Sequence, residues 1–258
     1  MTGDFERGLG LERAVQERTS TRIEPFAWGR ALYRDDLPER YYSNFVRVEQ
    51  PLSGVEVDDL VRATDRALDG LGHRQIHVDD EDDGARIAPA LAERGYKADH
   101  SVMLALRRDP DRPGDLGIVD EVSYTHARPF LVEVYRRELT GKEAALVDGF
   151  ADFRHVVQEA VNGRFFTQRV DGVLAGLCEL YLLDKVAQVE HVDTLEEFRG
   201  RGVARNVVLR AVHEARAAGA DLVVIVTDLE DWPLELYRRL GFDEIGRLWA
   251  FTKAPLSA

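Results

Sequence analysis

The stretch Thr194–Ala218, TLEEFRGRGVARNVVLRAVHEARAA, decides the reading of this chain. Within it, Arg199-Gly200-Arg201-Gly202-Val203-Ala204 separates an apolar, strand-like run, Val186 to Val192, from a segment of helical periodicity. Val203, Val207, Ala211 and Ala215 share one helical stripe, with Ala204, Val208 and Val212 beside it, and Arg205, Arg210, Glu214 and Arg216 lie largely elsewhere. Gly200 and Gly202 allow a tight turn and a close approach of backbone to ligand. The first amides of the helix have no partner inside it, so the loop is an anion site. The helix dipole contributes roughly 0.3–1 kcal/mol per charge, and Arg199, Arg201 and Arg205 add positive charge nearby. Gly219 suits the helix end, and Leu222-Val223-Val224-Ile225-Val226, apolar without alternation, reads as a strand buried on both faces. Strand, glycine loop, helix and strand make a βαβ unit suited to a phosphate-bearing ligand.

A Walker loop would need a Lys-Ser/Thr pair after its last glycine, and a dinucleotide fingerprint a third small residue three positions after the second. Here Val203-Ala204 follow Gly202, and position 205 is Arg. The segment instead resembles the R/Q-x-x-G-x-G/A acetyl-CoA loop of the GNAT superfamily of N-acetyltransferases, matched by Arg199, Gly202 and Ala204. About thirty residues later, Trp232-Pro233-Leu234-Glu235-Leu236-Tyr237-Arg238-Arg239-Leu240-Gly241-Phe242 resembles the family's second signature, a short helix ending in a Leu-Gly-Phe corner with a tyrosine before it. Pro233 fits the first helical turn and Gly241 the residue just past the helix end.

This resemblance implies an α/β chain with a mixed sheet, the acyl-CoA N-acyltransferase fold. It implies acetyl-CoA as co-substrate, with the pantetheine between two splayed parallel strands along the backbone of Val192, Asp193 and Thr194. The pyrophosphate would lie on the amides of Gly200, Arg201, Gly202, Val203, Ala204 and Arg205. The implied chemistry is direct attack of an amine on the thioester, without metal or covalent intermediate. An alkyl ammonium of pKa near 10.4 is less than roughly 0.1% neutral at pH 7, so a base must take its proton. Glu190 is the candidate, on a strand face shared with Val192 and Thr194, with a bound water as the alternative; Asp193 and Asp228 are runners-up. His191 points to the opposite face of a regular strand, and a bulge would reverse that. In the family the tyrosine matched by Tyr237 protonates or hydrogen-bonds the departing thiolate. The chain departs from the family's pattern at Glu230, where an Asn is frequent, and at Trp232 and Pro233, where small residues are. Two classes stay open: an N-acetyltransferase, and a non-catalytic acyl-CoA-binding module, against which the retained Tyr237 argues.

The 258 residues can bury a substantial core and suit one large or two small domains. No apolar run approaches a membrane span, and acidic residues occur throughout the first thirty, so a cytoplasmic protein is expected. A formal charge of −13 argues against nucleic-acid partners and suits a cationic amine acceptor, although it equally serves solubility. Cys178, the only cysteine, sits in Ala175-Gly176-Leu177-Cys178 and reads as a buried thiol. His73 and His77 have a metal-like spacing without further ligands, so no metal is expected. Neither the acceptor's identity nor the oligomeric state is legible.

Arg107 to Asp115, charged and punctuated by Pro110, Pro113 and Gly114, reads as a linker, giving a first unit 1–107, a linker 108–115 and a catalytic unit 116–258. In the first unit the polar segment to about Glu24 reads as a helix or a loose arm, and Phe26 to Tyr33 as a continuing helix. Strands at Phe45–Val48, Arg74–Val78 and Ser101–Leu106 alternate with helices at Val55–Leu71 and Ala85–Arg94. That order copies the βαβαβ order after residue 186, which suggests a degenerate GNAT-like repeat. When Gly95 is superposed on Gly241, Leu91 stands where Tyr237 does, and Glu49-Gln50-Pro51-Leu52-Ser53-Gly54 lacks the glycine loop. The second unit is expected as one strand, two helices, three strands, helix, strand, helix and strand.

Overall fold

A computed structural model describes residues 3–254. The first half contributes α1 (Gly3–Thr19), β1 (Arg22–Phe26), β2 (Gly29–Tyr33), β3 (Phe45–Val48), α2 (Val57–Ala67), β4 (Arg74–Val78), α3 (Glu81–Glu93) and β5 (Lys97–Leu106). The second contributes β6 (Val119–Val122), α4 (Tyr124–Glu138), α5 (Ala144–Ala160), β7 (Arg164–Val170), β8 (Val173–Leu183), β9 (Val186–Thr194), α6 (Val203–Ala217), β10 (Leu222–Asp228), α7 (Pro233–Arg239) and β11 (Phe242–Lys253). The second half thus follows the expected order of elements. In the first half, Phe26 to Tyr33 is not helical. It closes an antiparallel hairpin, in which Phe26 pairs with Gly29 and Arg22 with Tyr33. Pro25 explains the difference: inside a helix it would remove a bond, whereas on the edge strand β1 its missing N–H leaves no ladder gap inside the sheet.

All eleven strands form one sheet in the order β1-β2-β3-β4-β11-β5-β10-β9-β8-β7-β6. Among the described residues only β3–β4 and β9–β10 are parallel neighbours. The order is nearly palindromic about its centre: β3, β4 and β5 correspond to β9, β10 and β11, and each half's last strand is exchanged into the other. β5 lies antiparallel between β10 and β11, and β11 antiparallel between β4 and β5. The segment 107–115 therefore joins two units that share a sheet. Because β5 and β11 carry the ladder bonds across the middle, neither half has a complete sheet of its own.

One face of the second half is covered by α6 and α7, whose Val207, Val208, Ala211 and Tyr237 pack on Ala187, Val189, Val223 and Ile225. The opposite face is covered by α1 and α5, with Phe5, Leu9, Phe153 and Val157 against Met103, Val186, Leu222 and Val224. The successive residues Leu222 to Ile225 alternate between these two cores, which accounts for an apolar run without polar alternation. Gly8 lets α1 lie close on the sheet, since a Cβ there would stand 2.4 Å from the Met103 sulfur. A third core joins α2 and α3 to β3, β4 and Phe251 of β11. No helix among the described residues is long and apolar enough to cross a membrane.

Candidate active site

β9 and β10 pair in parallel from Val186/Leu222 only as far as Val189/Ile225. Beyond that point β9 stays bonded to β8 and β10 to β5, so the two strands part over Glu190–Thr194 and Val226–Asp228. The parting coincides with a bulge. His191 has a φ of 49°, and the β8–β9 register slips between Leu177/Asp193 and Glu179/Glu190. The bulge reverses the faces expected from a regular strand. Glu190 stays with Gln188 on the α1 face, while Val192 turns to the α6 core, so the two do not share a face.

The glycine loop follows β9. Gly200 and Gly202 have φ of 77° and 82°, a region where other residues would be strained. The Asn206 amide is the first to bond back, to the Gly202 carbonyl at 3.1 Å, which leaves the first amides of α6 without helical partners. The three arginines differ. Arg199 reaches the Thr194 carbonyl through Nε at 3.4 Å, and Arg201 lies 3.5 Å from Asp171. Arg205 does not add charge at the loop mouth: it is buried, donating to Asp111 Oδ1 at 2.6 Å and to the Arg112 carbonyl at 3.0 Å, so only its backbone amide remains at the helix start.

The corresponding turn of the first half is closed chemically. The Leu52 amide donates to the Asp83 carboxylate at 2.8 Å, and the surrounding hollow is lined by Glu49, Asp79, Asp80 and Asp83. A side-chain carboxylate thus takes an amide that an anion would need, and like charge surrounds it.

Tyr237 is buried in the α6–α7 core, edge-on to Phe242 with ring centroids 6.4 Å apart. Its phenol is held protonated, its pKa raised by burial first and then by the charge of Glu190. Asp193 is pushed up to about 6, by burial and then by Glu138. His191 lies 3.4 Å from Asp193 without hydrogen-bond alignment, and burial, assisted by Arg154 and Arg40, keeps its ring neutral. Asp228 is exposed and accepts from the Glu230 amide, a turn role. The Cys178 thiol is buried and donates to the Val207 carbonyl. His73 bonds the Asn44 carbonyl and stacks on Tyr41, and His77 meets Gln75 and stacks on Phe45. Among the described residues no group of His, Cys, Asp and Glu is placed to hold a metal ion.

On the α1 face of the parting lies a cavity of about 140 Å³, its mouth open to solvent. Its walls come from both halves. Glu12 and Gln16 of α1 with Arg40, Tyr42 and Phe45 face Phe153 and Arg154 of α5, Tyr181 of β8, and Gln188 and Glu190 of β9. The floor is fixed by a buried network: Arg154 grips Glu179 with Nε and Nη2 at 2.7 and 2.8 Å, and Tyr181 donates to Glu179 at 2.9 Å. Gln188 Nε2 bridges two carboxylates, Glu12 at 3.2 Å and Glu190 at 2.9 Å. Both carboxyls are raised by burial first; in Glu12, where the charge of Glu190 adds to it, the pKa reaches about 8. Sequence reading found Glu190 but missed Glu12, Arg40 and the Arg154–Glu179 pair. Their only signal was charge among apolar helical residues, and nothing local joins residue 12 to residue 190.

The parting of the parallel strands thus separates a loop of free amides from a carboxylate-lined cavity. The acetyltransferase (GNAT) family model matches residues 128–242, which span the loop, α6 and Tyr237. Over residues 128–242 the chain is therefore similar to the acetyltransferase (GNAT) family. Three solved structures agree in fold with most or all of the chain. A functionally unknown conserved protein from Staphylococcus epidermidis has 16% identity and a TM-score of 0.70, over 92% of this chain and 95% of that one. A GCN5-related N-acetyltransferase from Kribbella flavida has 18% identity and a TM-score of 0.65, over 100% and 97%. A tandem GNAT protein from the clavulanic acid biosynthesis pathway has 16% identity and a TM-score of 0.57, over 89% and 79%. No curated protein matches the sequence. The fold is accordingly that of two GNAT-like halves in one mixed sheet, and the family match supports acyl transfer in general.

Proposed function

We propose that the chain is an acetyl-CoA-dependent N-acetyltransferase acting on a small amine. The observation that carries this reading is the parting of β9 and β10 between the free amides of the loop and the cavity holding Glu190. The thioester supplies the activated acyl group. The amides of Gly200 to Arg205 bind its phosphates, and the open backbone edge of Val192, Asp193 and Thr194 orients the chain that follows. Glu190, directly or through a bound water, accepts the amine's proton as nitrogen attacks the carbonyl carbon. A raised carboxyl pKa makes it a better base while it remains ionised above that pKa. The C–S bond then breaks, and Tyr237, held protonated, donates to the leaving sulfur. The first half contributes cavity wall and no second cofactor site, in keeping with Asp83 at its loop.

Thiol release from acetyl-CoA over a panel of amines tests this reading. Glu190→Gln is expected to lower kcat by about 10²–10⁴ with little change in acetyl-CoA affinity, the range for loss of a general base. An unchanged kcat in the folded variant would remove Glu190 from the mechanism.

A further inference from the structure

Arg40 stands out among the cationic residues of the cavity. It is half-buried, with Nε on the Ser43 hydroxyl at 3.0 Å and the Tyr135 phenol within hydrogen-bond reach. Its guanidinium lies over the Phe153 ring at 4.3 Å and near Phe150 at 5.3 Å, which fixes its direction. Among the described residues it forms no ion pair. Arg154, the other cation of the wall, has Glu179, and Glu138, on the exposed end of α4, is near enough to feel both arginines but is paired with neither. Burial pushes the Arg40 pKa down, the sign of a charge that its surroundings do not compensate. A half-buried guanidinium that lines a cavity and is paired with none of its carboxylates calls for one from outside, because its planar donors match that group.

The same cavity also carries acceptors for an ammonium. Glu12 and Glu190 flank Gln188, which is only 3% exposed and whose Oε1 has no hydrogen-bond partner among the described residues. We propose that the acceptor is a small amino acid or amino-acid derivative, its carboxylate paired with Arg40 and its ammonium end received by Glu12, Gln188 and Glu190. This rests on the acyl-transfer reading and narrows its substrate class. One zwitterion would neutralise both ends of the cavity, and the first half, which supplies Arg40 and Glu12, then determines specificity while the second half holds the reacting groups.

The test uses the full chain and matched pairs: alanine and ethylamine, phenylalanine and phenethylamine, histidine and histamine, lysine and cadaverine, each with acetyl-CoA. The carboxylated member of at least one pair is expected to have a kcat/KM ten-fold or more above its partner. Arg40→Met should abolish that preference through KM, Arg40→Lys should restore part of it, and the KM for acetyl-CoA should not move. Equal or better turnover of the decarboxylated members would overturn the proposal while leaving acyl transfer intact. A preference that survives Arg40→Met would overturn the role of Arg40. Absence of turnover in every pair would overturn the amino-acid class, and calorimetric binding of acetyl-CoA, measured separately, then shows whether the cofactor reading survives.

Discussion

Replacing Glu12 by Gln should make the protein's stability less dependent on pH in a calculable direction. The Glu12 carboxyl is pushed from 4.5 to about 8 by burial, then by the charges of Glu190 and Asp79, against the hydrogen bond of Gln188 and the charge of Arg13. Between those values the folded chain keeps a proton that the unfolded chain has lost. The contribution of this group is therefore fully present below the unfolded pKa and is lost as pH rises through the folded one. At about 1.36 kcal/mol per pKa unit, the loss accumulated between pH 5 and pH 8 is roughly 3.5 kcal/mol. This is a ceiling, since the cavity mouth is open to water. Glutamine keeps the shape and an oxygen for Gln188 but does not titrate. Urea unfolding at pH 5 and pH 8 should show the variant gaining on the wild type by roughly 2–3.5 kcal/mol across that interval. A difference that stays constant with pH would mean that Glu12 ionises as it does in water, and would refute its placement beside Glu190 in a poorly solvated wall.

The remaining predictions concern the sulfur side of the site and the cavity floor. Tyr237→Phe should lower turnover by about 10²–10⁴ with acetyl-CoA affinity nearly unchanged, whereas Tyr237→Ala should cost roughly 3–5 kcal/mol of stability; kinetics and melting of both variants separate the two roles, and full activity of the Phe variant would end the acid role. Arg154→Ala leaves Glu179, 1% exposed, without its counter-ion, and should destabilise by about 3–5 kcal/mol in urea titration, much of it recovered by adding Glu179→Leu. No recovery in the double variant would show that packing of the arginine, not the orphaned charge, dominates.

Legibility in the sequence followed the range of the interactions. The βαβ core was readable because local periodicity and two glycines with positive φ specify Val186 to Val226 almost without help from elsewhere. Tyr237 was readable because its helix ends at a glycine corner of fixed spacing. The exchange of β5 and β11 was not, since two apolar strands carry no mark of which neighbours they will choose. The face of Val192 was lost to the bulge at His191, where one residue of positive φ inverts a two-residue alternation. Arg205 looked like a phosphate ligand by proximity, yet Asp111, ninety-four residues earlier, claims it. The cavity was the least legible part, because α1, the segment around Arg40, α5 and β9 meet there only through tertiary packing.

Titration calorimetry with acetyl-CoA, on the wild type and on Gly202→Asp, bears most directly on the central reading, that a single cofactor site lies on the loop of the second half. An aspartate at position 202 places a charge where phosphate would sit, at a backbone φ of 82° that a side chain tolerates poorly. The account predicts one site per chain in the wild type and none in a Gly202→Asp variant that retains its cooperative unfolding. Two sites of similar affinity, no binding to the wild type, or undiminished binding to the variant would contradict it.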